Sequence, residues 1–241
     1  AVGADTAAGI SVKIGDAEAE TVDSFAAAME KVKAADADAA KVITLGEGTV
    51  SAADVNTFRI ETPNLTIAGA GVDKTVINTG DFAISGQAGV LIAADNVTVR
   101  DLAVVSNNPG ASGAAIKVTK IGTAEELPAV KNVTIANVSV KTIEAGFGLN
   151  LHGVEGATVT NVTVESSKKA SVSIASASDV EIDQLTTGTN DWNCDIYFPY
   201  NAANVAAYGK ASEVTFGELT LANGVISSER TSDATGGEDT L

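Results

Sequence analysis

A ten-residue phrase that recurs along the chain constrains the fold more than any other feature. It is clearest at residues 131–140, Lys-Asn-Val-Thr-Ile-Ala-Asn-Val-Ser-Val, and it returns at residues 95–104 and 155–164. Apolar and polar residues alternate on both sides of a central Asn or Asp, which predicts a strand, a corner and a second strand. Weaker copies begin at Asn64, Asp179 and Glu213.

The spacing of the copies predicts a solenoid. Successive first apolar residues are 32, 36, 24, 23 and 34 positions apart, and they are Leu65, Val97, Val133, Ala157, Val180 and Val214. A variable period in the range of roughly 20–50 residues is typical of repeat architectures. No helical pattern separates the copies, so βαβ units are excluded. Each coil would pair with the next about 4.8 Å away and extend one apolar column.

The first coils resemble those of the pectate-lyase-like superfamily. The resemblance is carried by residues 42–49 (VITLGEGT), 65–71 (LTIAGAG) and 73–77 (DKTVI), and it extends over about residues 20–225. It implies an all-β fold, a right-handed parallel β-helix. It does not choose an activity, because this fold carries lyases, hydrolases, esterases, adhesins and structural proteins.

The chain divides into four parts by pattern. We expect an N-terminal strand or tail at residues 1–15, a capping helix and linker at 16–40, the β-helix at 41–226 and a C-terminal tail at 227–241. Apolar residues share one side of the helical stretch, namely Val22, Phe25, Met29 and Val32. Such a helix would cover the apolar end of the first coil.

The corner residues between paired strands predict a ladder of side chains along the axis. They align as Asp101, Asn137, Asn161, Gln184 and Glu218. Asn and Asp tolerate left-handed backbone, and stacked amides can hydrogen-bond from coil to coil. Five Asn-x-Ser/Thr sequons fall inside the phrase, so we interpret them as corner residues rather than glycan sites; they are at Asn64, Asn96, Asn132, Asn137 and Asn161.

Composition limits partners and location. A net charge of −16 and a pI of about 4.3 argue against nucleic acid and anionic membranes as partners. No stretch is long and apolar enough for membrane insertion. The single cysteine, Cys194, excludes an intrachain disulfide. The chain begins at Ala1 without Met, consistent with a removed signal peptide or an engineered start. We therefore expect a secreted, extracellular or cell-surface protein.

A second strand series predicts a functional face. Its members are residues 115–118, 148–151, 171–174 and 195–198. Alternation places one polar residue from each strand on a common outer face; these are Lys117, Asn150, Ser173 and either Asp195 or Tyr197. The loops beside this face are the longest, so it is the first candidate for a functional surface.

An aromatic segment at residues 189–210 holds half of the ten aromatic residues. It predicts either a packed loop or C-terminal lid, or a contact with a partner or glycan, since exposed aromatics are enriched at such surfaces. The contact residues would be Trp192, Tyr197, Tyr200 and Tyr208.

Catalytic signatures are sparse. Lyases of the resembling fold combine acidic calcium ligands with an Arg or Lys base. The pieces available here form no cluster of three carboxylates at coil spacing; they are Arg100, Asp101, Lys117, Asp183 and Asp195. His152, the only histidine, lacks acidic partners. Calcium could be held by residues that alternate on one strand, unless they form a solvated stripe; these are Asp179, Glu181 and Asp183.

These observations predict a non-catalytic structural or adhesive β-helix without a required cofactor. We expect self-association into a homo-oligomer or polymer through the chain ends, because β-helix ends are strand templates. Two alternatives stay open. One is a calcium-dependent polysaccharide lyase or another carbohydrate-active enzyme, and the other is a glycan-binding module that contacts polysaccharide.

Overall fold

The coils of the β-helix each contribute up to three strands, one to each of three parallel faces. The computed structural model describes residues 6–80, 88–107, 113–121, 129–142, 146–199 and 212–228. Every pairing between coils is parallel and in register, apart from one shift between Val140 and Lys141. The prediction of an all-β parallel β-helix is therefore confirmed.

An N-terminal cap precedes the first coil. It consists of β1 (Ser11–Ile14), β2 (Glu20–Thr21) and α1 (Phe25–Ala34), and β1 pairs antiparallel with both β2 and the first coil strand. Ser24 begins the helix by accepting a 3.1 Å hydrogen bond from the Ala27 backbone N–H, as an N-cap residue does. The helix buries Phe25, Met29 and Val32, and these join the main core.

Face 1 holds the predicted column of apolar residues. Leu65 pairs with Val97, Val133 with Ala157, Ala157 with Val180, and Val180 with Val214. Its strands are β3 (Lys41–Thr44), β6 (Leu65–Ala68), β15 (Val214–Phe216) and parts of the long strands β9 (Val97–Ser106), β11 (Val130–Thr142), β12 (Phe147–Ser167) and β13 (Val172–Asn190).

Faces 2 and 3 complete each coil. Face 2 contains β4 (Gly48–Ser51), β7 (Thr75–Asn78), β16 (Leu219–Thr220) and the C-terminal parts of β9, β11, β12 and β13. Face 3 contains β5 (Arg59–Ile60), β8 (Ala88–Ile92), β10 (Ala114–Val118), β14 (Ile196–Tyr197), β17 (Ile226–Ser227) and the N-terminal parts of β12 and β13. Valine, isoleucine and leucine side chains from all three faces meet in one continuous core.

The corners of β12 and β13 lie inside continuous strands. Each of these strands turns from face 3 to face 1 and then to face 2 at residues with positive φ. No loop is therefore needed at those corners. The residues are Gly153, Gly156 and Asn161 in β12, and Ser176, Asp179 and Gln184 in β13. Gly, Asn and Asp adopt this left-handed conformation at the lowest cost.

No helix in the described part of the chain combines the length and apolar character needed to cross a membrane. Of the predicted segments, residues 1–5 and 229–241 lie outside the described residues.

Candidate functional site on face 3

A row of polar side chains runs along face 3, one per coil. Lys117 pairs in register with Asn150, Asn150 with Ser173, and Ser173 with Tyr197. The residues beside them in each strand point into the core, so alternation directs the row outward. Parallel neighbours are about 4.8 Å apart. We call Lys117, Asn150, Ser173 and Tyr197 the face-3 row.

The face-3 row is deeply covered for an outward surface. Lys117 is 5% exposed, Asn150 6%, Ser173 2% and Tyr197 5%. Polar groups covered to this degree are normally hydrogen-bonded, because an unpaired one loses its bonds to water without replacement. The polar side chains of the row are therefore expected to have hydrogen-bond partners.

Asn150, in the middle of the row, has a side-chain oxygen without a hydrogen bond. Its Oδ1 is buried and has no hydrogen-bond partner. Leaving a buried acceptor unpaired costs about 1–3 kcal/mol. A hydrogen-bond donor at this point would remove the cost.

Burial lowers the pKa of the Lys117 ammonium below its ordinary value, because a low-dielectric environment disfavours the charged form. Burial is the cause that accounts for the direction of the shift. The amine is thus easier to deprotonate than a surface lysine.

A second row lies beside the face-3 row on the same strands. His152 is two residues beyond Asn150 in β12 and pairs with Ala175 in the next coil. It is half-buried. The two-residue spacing places it on the same side of the strand as Asn150, about 7 Å along it.

An aromatic cluster borders the row. The Phe147 and Tyr197 rings stack with centroids 6.4 Å apart, and Trp192 meets both edge-on at 5.5 and 5.4 Å. The Lys169 ammonium lies 5.1 Å from the Phe147 centroid and 5.4 Å from that of Trp192, within cation–π range. Tyr197 is buried within this cluster, and Trp192 is half-buried. The structure thus packs these two predicted contact residues together, whereas Tyr200 and Tyr208 lie outside the described residues.

Asp195 is not part of the outer face, although alternation allowed it. Its side chain is fully buried and accepts hydrogen bonds from the Thr187 hydroxyl at 2.6 Å, the Asn223 side chain at 3.1 Å and the Val225 backbone N–H at 3.0 Å. The strand β14 begins only at Ile196, so the alternating pattern does not extend back to Asp195. This carboxylate fastens the last coil instead.

The predicted corner ladder exists for part of its length. The Asn137 amide donates to Asp101 Oδ1, and the Asn161 amide to Asn137 Oδ1, both at 2.8 Å. Gln184 shares their left-handed backbone, with φ of 53°. Glu218 does not, and its backbone N–H instead donates to Asp183 Oδ1 at 2.8 Å.

A second ladder, which the alignment of single corners overlooked, runs five residues upstream. The Asn132 amide donates to Asn96 Oδ1 at 3.0 Å, the Asn96 amide to Asn64 Oδ1 at 2.9 Å, and the Asn64 amide to the Ala37 carbonyl at 2.9 Å. The sequons were the signal for it, because they mark both Asn positions of the phrase. Every sequon side-chain nitrogen is a ladder donor, which explains these motifs as corner chemistry.

The acidic residues suggested for calcium do not form a cluster. No group of three metal-binding side chains occurs within the described ranges. Asp183 is already occupied by the Glu218 N–H, and Asp179 forms a left-handed corner with φ of 53°. These residues are better explained as corner and surface groups.

Of the comparisons with known proteins, the one with solved structures bears on the fold. No protein-family model matches the chain, and no curated protein matches it. Among solved structures, the chain is similar to the A-module of the mannuronan C-5 epimerase AlgE6 from Azotobacter vinelandii, with a TM-score of 0.52 and 19% identity. The match covers 80% of this chain and 57% of the module. At this identity the likeness shows the parallel β-helix, a pectate-lyase-like fold.

Proposed function

We propose that this protein is a secreted or cell-surface, non-catalytic β-helix that binds a polysaccharide along face 3. The observation that carries the proposal is the face-3 row, in which polar side chains stand one per coil at about 4.8 Å intervals. An extended chain of hydroxyl-bearing units lying along the axis would run parallel to the row, and it would contact these side chains once the groups that cover them are displaced, since each is no more than 6% exposed.

Covered polar groups and neighbouring rings support this ligand class. Carbohydrate sites combine a few fixed polar groups with aromatic surface, and here Asn150 and Ser173 stand beside the cluster of Phe147, Trp192 and Tyr197. The structural neighbour is, by its name, an epimerase of mannuronan. Since that likeness concerns the fold, the proposal rests on the row itself.

The chemistry of the two face-3 rows supports binding without hydrolysis. Glycoside hydrolysis commonly needs two carboxylates flanking the bond. Neither row contains a carboxylate between β8 and β14; the positions are Leu91, Lys117, Asn150, Ser173 and Tyr197 in one, and Ala93, Thr119, His152, Ala175 and Pro199 in the other. Asp195, close in sequence, already accepts hydrogen bonds from the Thr187 hydroxyl and the Val225 N–H.

A polysaccharide lyase is the second candidate, favoured by one observation. Lys117 has a lowered pKa and shares face 3 with His152, so two groups suited to proton transfer lie near each other. A lyase would use one as base and the other as acid on a uronate.

Self-association is a separate proposal that the fold restricts to one end. The N-terminal end is occupied by α1, which buries Phe25, Met29 and Val32 against the core. A head-to-tail polymer would have to displace this helix. Association would therefore use the last coil, β15 to β17, and light scattering at several concentrations would detect it.

The binding proposal is tested on a panel of neutral and acidic polysaccharides by affinity electrophoresis. We expect retardation by at least one polymer, loss of retardation in Asn150→Leu, and no loss in Thr134→Val, a matched hydroxyl-to-methyl change on face 1. No retardation by any polymer, or equal retardation of the two variants, would contradict the proposal.

The same panel separates binding from catalysis. Incubation of each polymer with the protein, with calcium or with EDTA, is followed by ultraviolet absorbance for unsaturated uronates and by a reducing-end assay. We expect no product. Product that disappears in Lys117→Met would establish the lyase alternative.

A further inference from the structure

The dipeptide Asn223-Gly224 is the one Asn-Gly pair in the sequence. Asparagine is among the thermally labile residues of proteins. It loses its side-chain amide when the next backbone nitrogen reaches the side-chain carbonyl carbon and closes a five-membered ring. A β-branched residue after the asparagine hinders that approach, whereas glycine has no side chain to hinder it. The sequence therefore singles out Asn223 for this reaction.

The turn that contains this pair leaves the attacking nitrogen open. Gly224 is exposed, with φ of 67°, and a Cβ built on it would meet no atom within 4 Å. Among the described residues, its N–H donates to no acceptor. The ladder residues Asn132 and Asn137 differ, because Val133 and Val138 follow them within β11. Their side-chain amides are also held by the neighbouring coil, at 3.0 and 2.8 Å.

Asn223 is also one of the residues that fasten the last coil. Its backbone N–H and its side-chain amide both donate to the Asp195 carboxylate, each at 3.1 Å. The Val225 N–H donates to the same carboxylate at 3.0 Å. In return, the Val225 carbonyl accepts from the Asp195 and Ile196 N–H groups at 2.9 and 3.2 Å. The turn at residues 222–225 therefore helps to hold β17 against β14.

We infer that Asn223 is a site of spontaneous deamidation, and that its conversion to aspartate or isoaspartate loosens the last coil. The Gly224 nitrogen attacks the side-chain carbonyl carbon of Asn223 and loses its proton. A C–N bond forms, and the bond to the side-chain nitrogen breaks, so that ammonia leaves. Water then opens the cyclic imide at either carbonyl, which gives aspartate or isoaspartate. No other reactant is needed.

Deamidation changes the group that faces the Asp195 carboxylate. The Asn223 atom that lies 3.1 Å from Asp195 Oδ1 is an N–H donor, and in aspartate it becomes an oxygen of a second carboxylate. Asp195 is fully buried, so it loses a hydrogen bond and gains a neighbouring like charge at low dielectric. Isoaspartate also adds one carbon to the backbone before Gly224 and displaces the Val225 carbonyl. Either product weakens the last coil, whereas β11 and β12 pair without this turn.

Peptide mapping by mass spectrometry measures the reaction. The folded protein is incubated at mildly alkaline pH, where a backbone nitrogen loses its proton more readily, and samples are digested with trypsin. The tryptic peptide 211–230 contains Asn223 as its only side-chain amide, and the peptide 132–141 contains Asn132 and Asn137 as an internal control. We expect the amide of the first peptide to be lost about tenfold faster or more, with both acid products resolved by electron-transfer fragmentation. Equal rates in the two peptides would overturn the assignment of the site.

Hydrogen exchange measures the consequence for the last coil. In the aged wild-type protein and in Asn223→Asp, amides of residues 214–227 should exchange about tenfold faster or more, the factor expected for one lost hydrogen bond. The strands β11 and β12 should keep their protection. Asn223→Ser is the control, since its hydroxyl can donate to Asp195 but cannot form the imide, and its exchange should not change with age. Unchanged protection in both the aged protein and Asn223→Asp, or acceleration along the whole chain, would overturn the local effect.

Discussion

Asn137 is hydrogen-bonded in both directions along the axis, since its amide donates to Asp101 one coil earlier and its carbonyl accepts from Asn161 one coil later, each at 2.8 Å. A single side chain thus connects three coils at their corner. Its backbone is left-handed, with φ of 53°. The ladder therefore combines a conformational requirement with a hydrogen-bonding one.

Substitution of this residue separates the two requirements. Asn137→Ala should lower the free energy of unfolding by about 1–2 kcal/mol, because it loses both ladder bonds and strains the left-handed backbone. Asn137→Gly removes the same bonds without the strain and should lose less. Urea unfolding measures both variants. If they are equally stable, the backbone term is absent and this explanation of the ladder is wrong.

Asp195 should control the stability of the last coil. Asp195→Asn replaces one acceptor oxygen by a donor opposite the part-buried N–H groups of residues 223 and 225, and we expect a loss of about 1–3 kcal/mol. Asp191→Asn is the control, because Asp191 contacts Lys168 at 3.4 Å on the exposed surface, where an ion pair contributes little.

Hydrogen exchange locates the Asp195 effect. Amides in residues 214–227 should exchange faster in Asp195→Asn, while those of β11 and β12 keep their protection. Uniform acceleration along the whole chain would show that the carboxylate does not act locally.

Gly188 should tolerate no side chain. A Cβ at this position would lie 2.0 Å from the Glu165 carbonyl oxygen of the preceding coil, so the backbone would have to move. Gly188→Ala is expected to destabilise the protein by about 1–3 kcal/mol. Thr189→Ala, at the exposed neighbouring position, should change the midpoint of thermal unfolding far less, and equal shifts would refute the steric argument.

Asp95 should make stability depend on acid. Burial raises the pKa of this carboxyl, but hydrogen bonds from Lys120 and the Lys131 N–H, with the charges of both lysines, outweigh burial, so its pKa lies below the ordinary value. A depressed folded pKa stabilises the protein above the unfolded pKa, and this contribution disappears as the pH falls through the folded pKa. The side chain is 38% exposed, so solvent screening keeps the effect small.

Thermal unfolding as a function of pH measures the Asp95 contribution. Asp95→Asn should be less stable than the wild-type protein at neutral pH, and the two curves should converge in acid. Asp73→Asn, at an exposed turn position, should follow the wild-type curve. A constant difference between Asp95→Asn and wild type at every pH would exclude the linkage.

The sequence predicted the fold because its strongest signal, the repeated apolar residues, is also what forms the core. The apolar positions from Leu65 to Val214 pair in the register that their spacing implied, since each must enter the same core. The face-3 row followed from the same alternation, and Lys117, Asn150 and Ser173 occupy it.

Other parts of the site depend on contacts that alternation does not encode. Asp195 lies before the two-residue strand β14, so the alternation of inward and outward side chains does not apply to it. Its carboxylate accepts hydrogen bonds from the N–H groups of residues 223 and 225. Phe147 stacks on Tyr197 although β13 lies between their strands, and Lys169 adds its ammonium over the Phe147 ring. The unpaired state of Asn150 Oδ1 depends on atoms from several coils and has no counterpart in a single-sequence pattern.

The two left-handed columns stay five residues apart in every coil that has both, as at Asn96 and Asp101, Asn132 and Asn137, Gly156 and Asn161, and Asp179 and Gln184. The coils differ in length instead through the number of residues that separate successive strands, as between β9 and β10, β10 and β11, and β14 and β15. The two corner columns are thus constant from coil to coil, whereas the segments that connect the strands can lengthen, shorten or change composition without altering the stacking. In evolution, a chain of this kind could exchange the segments between its strands while inheriting the stacked corners unchanged.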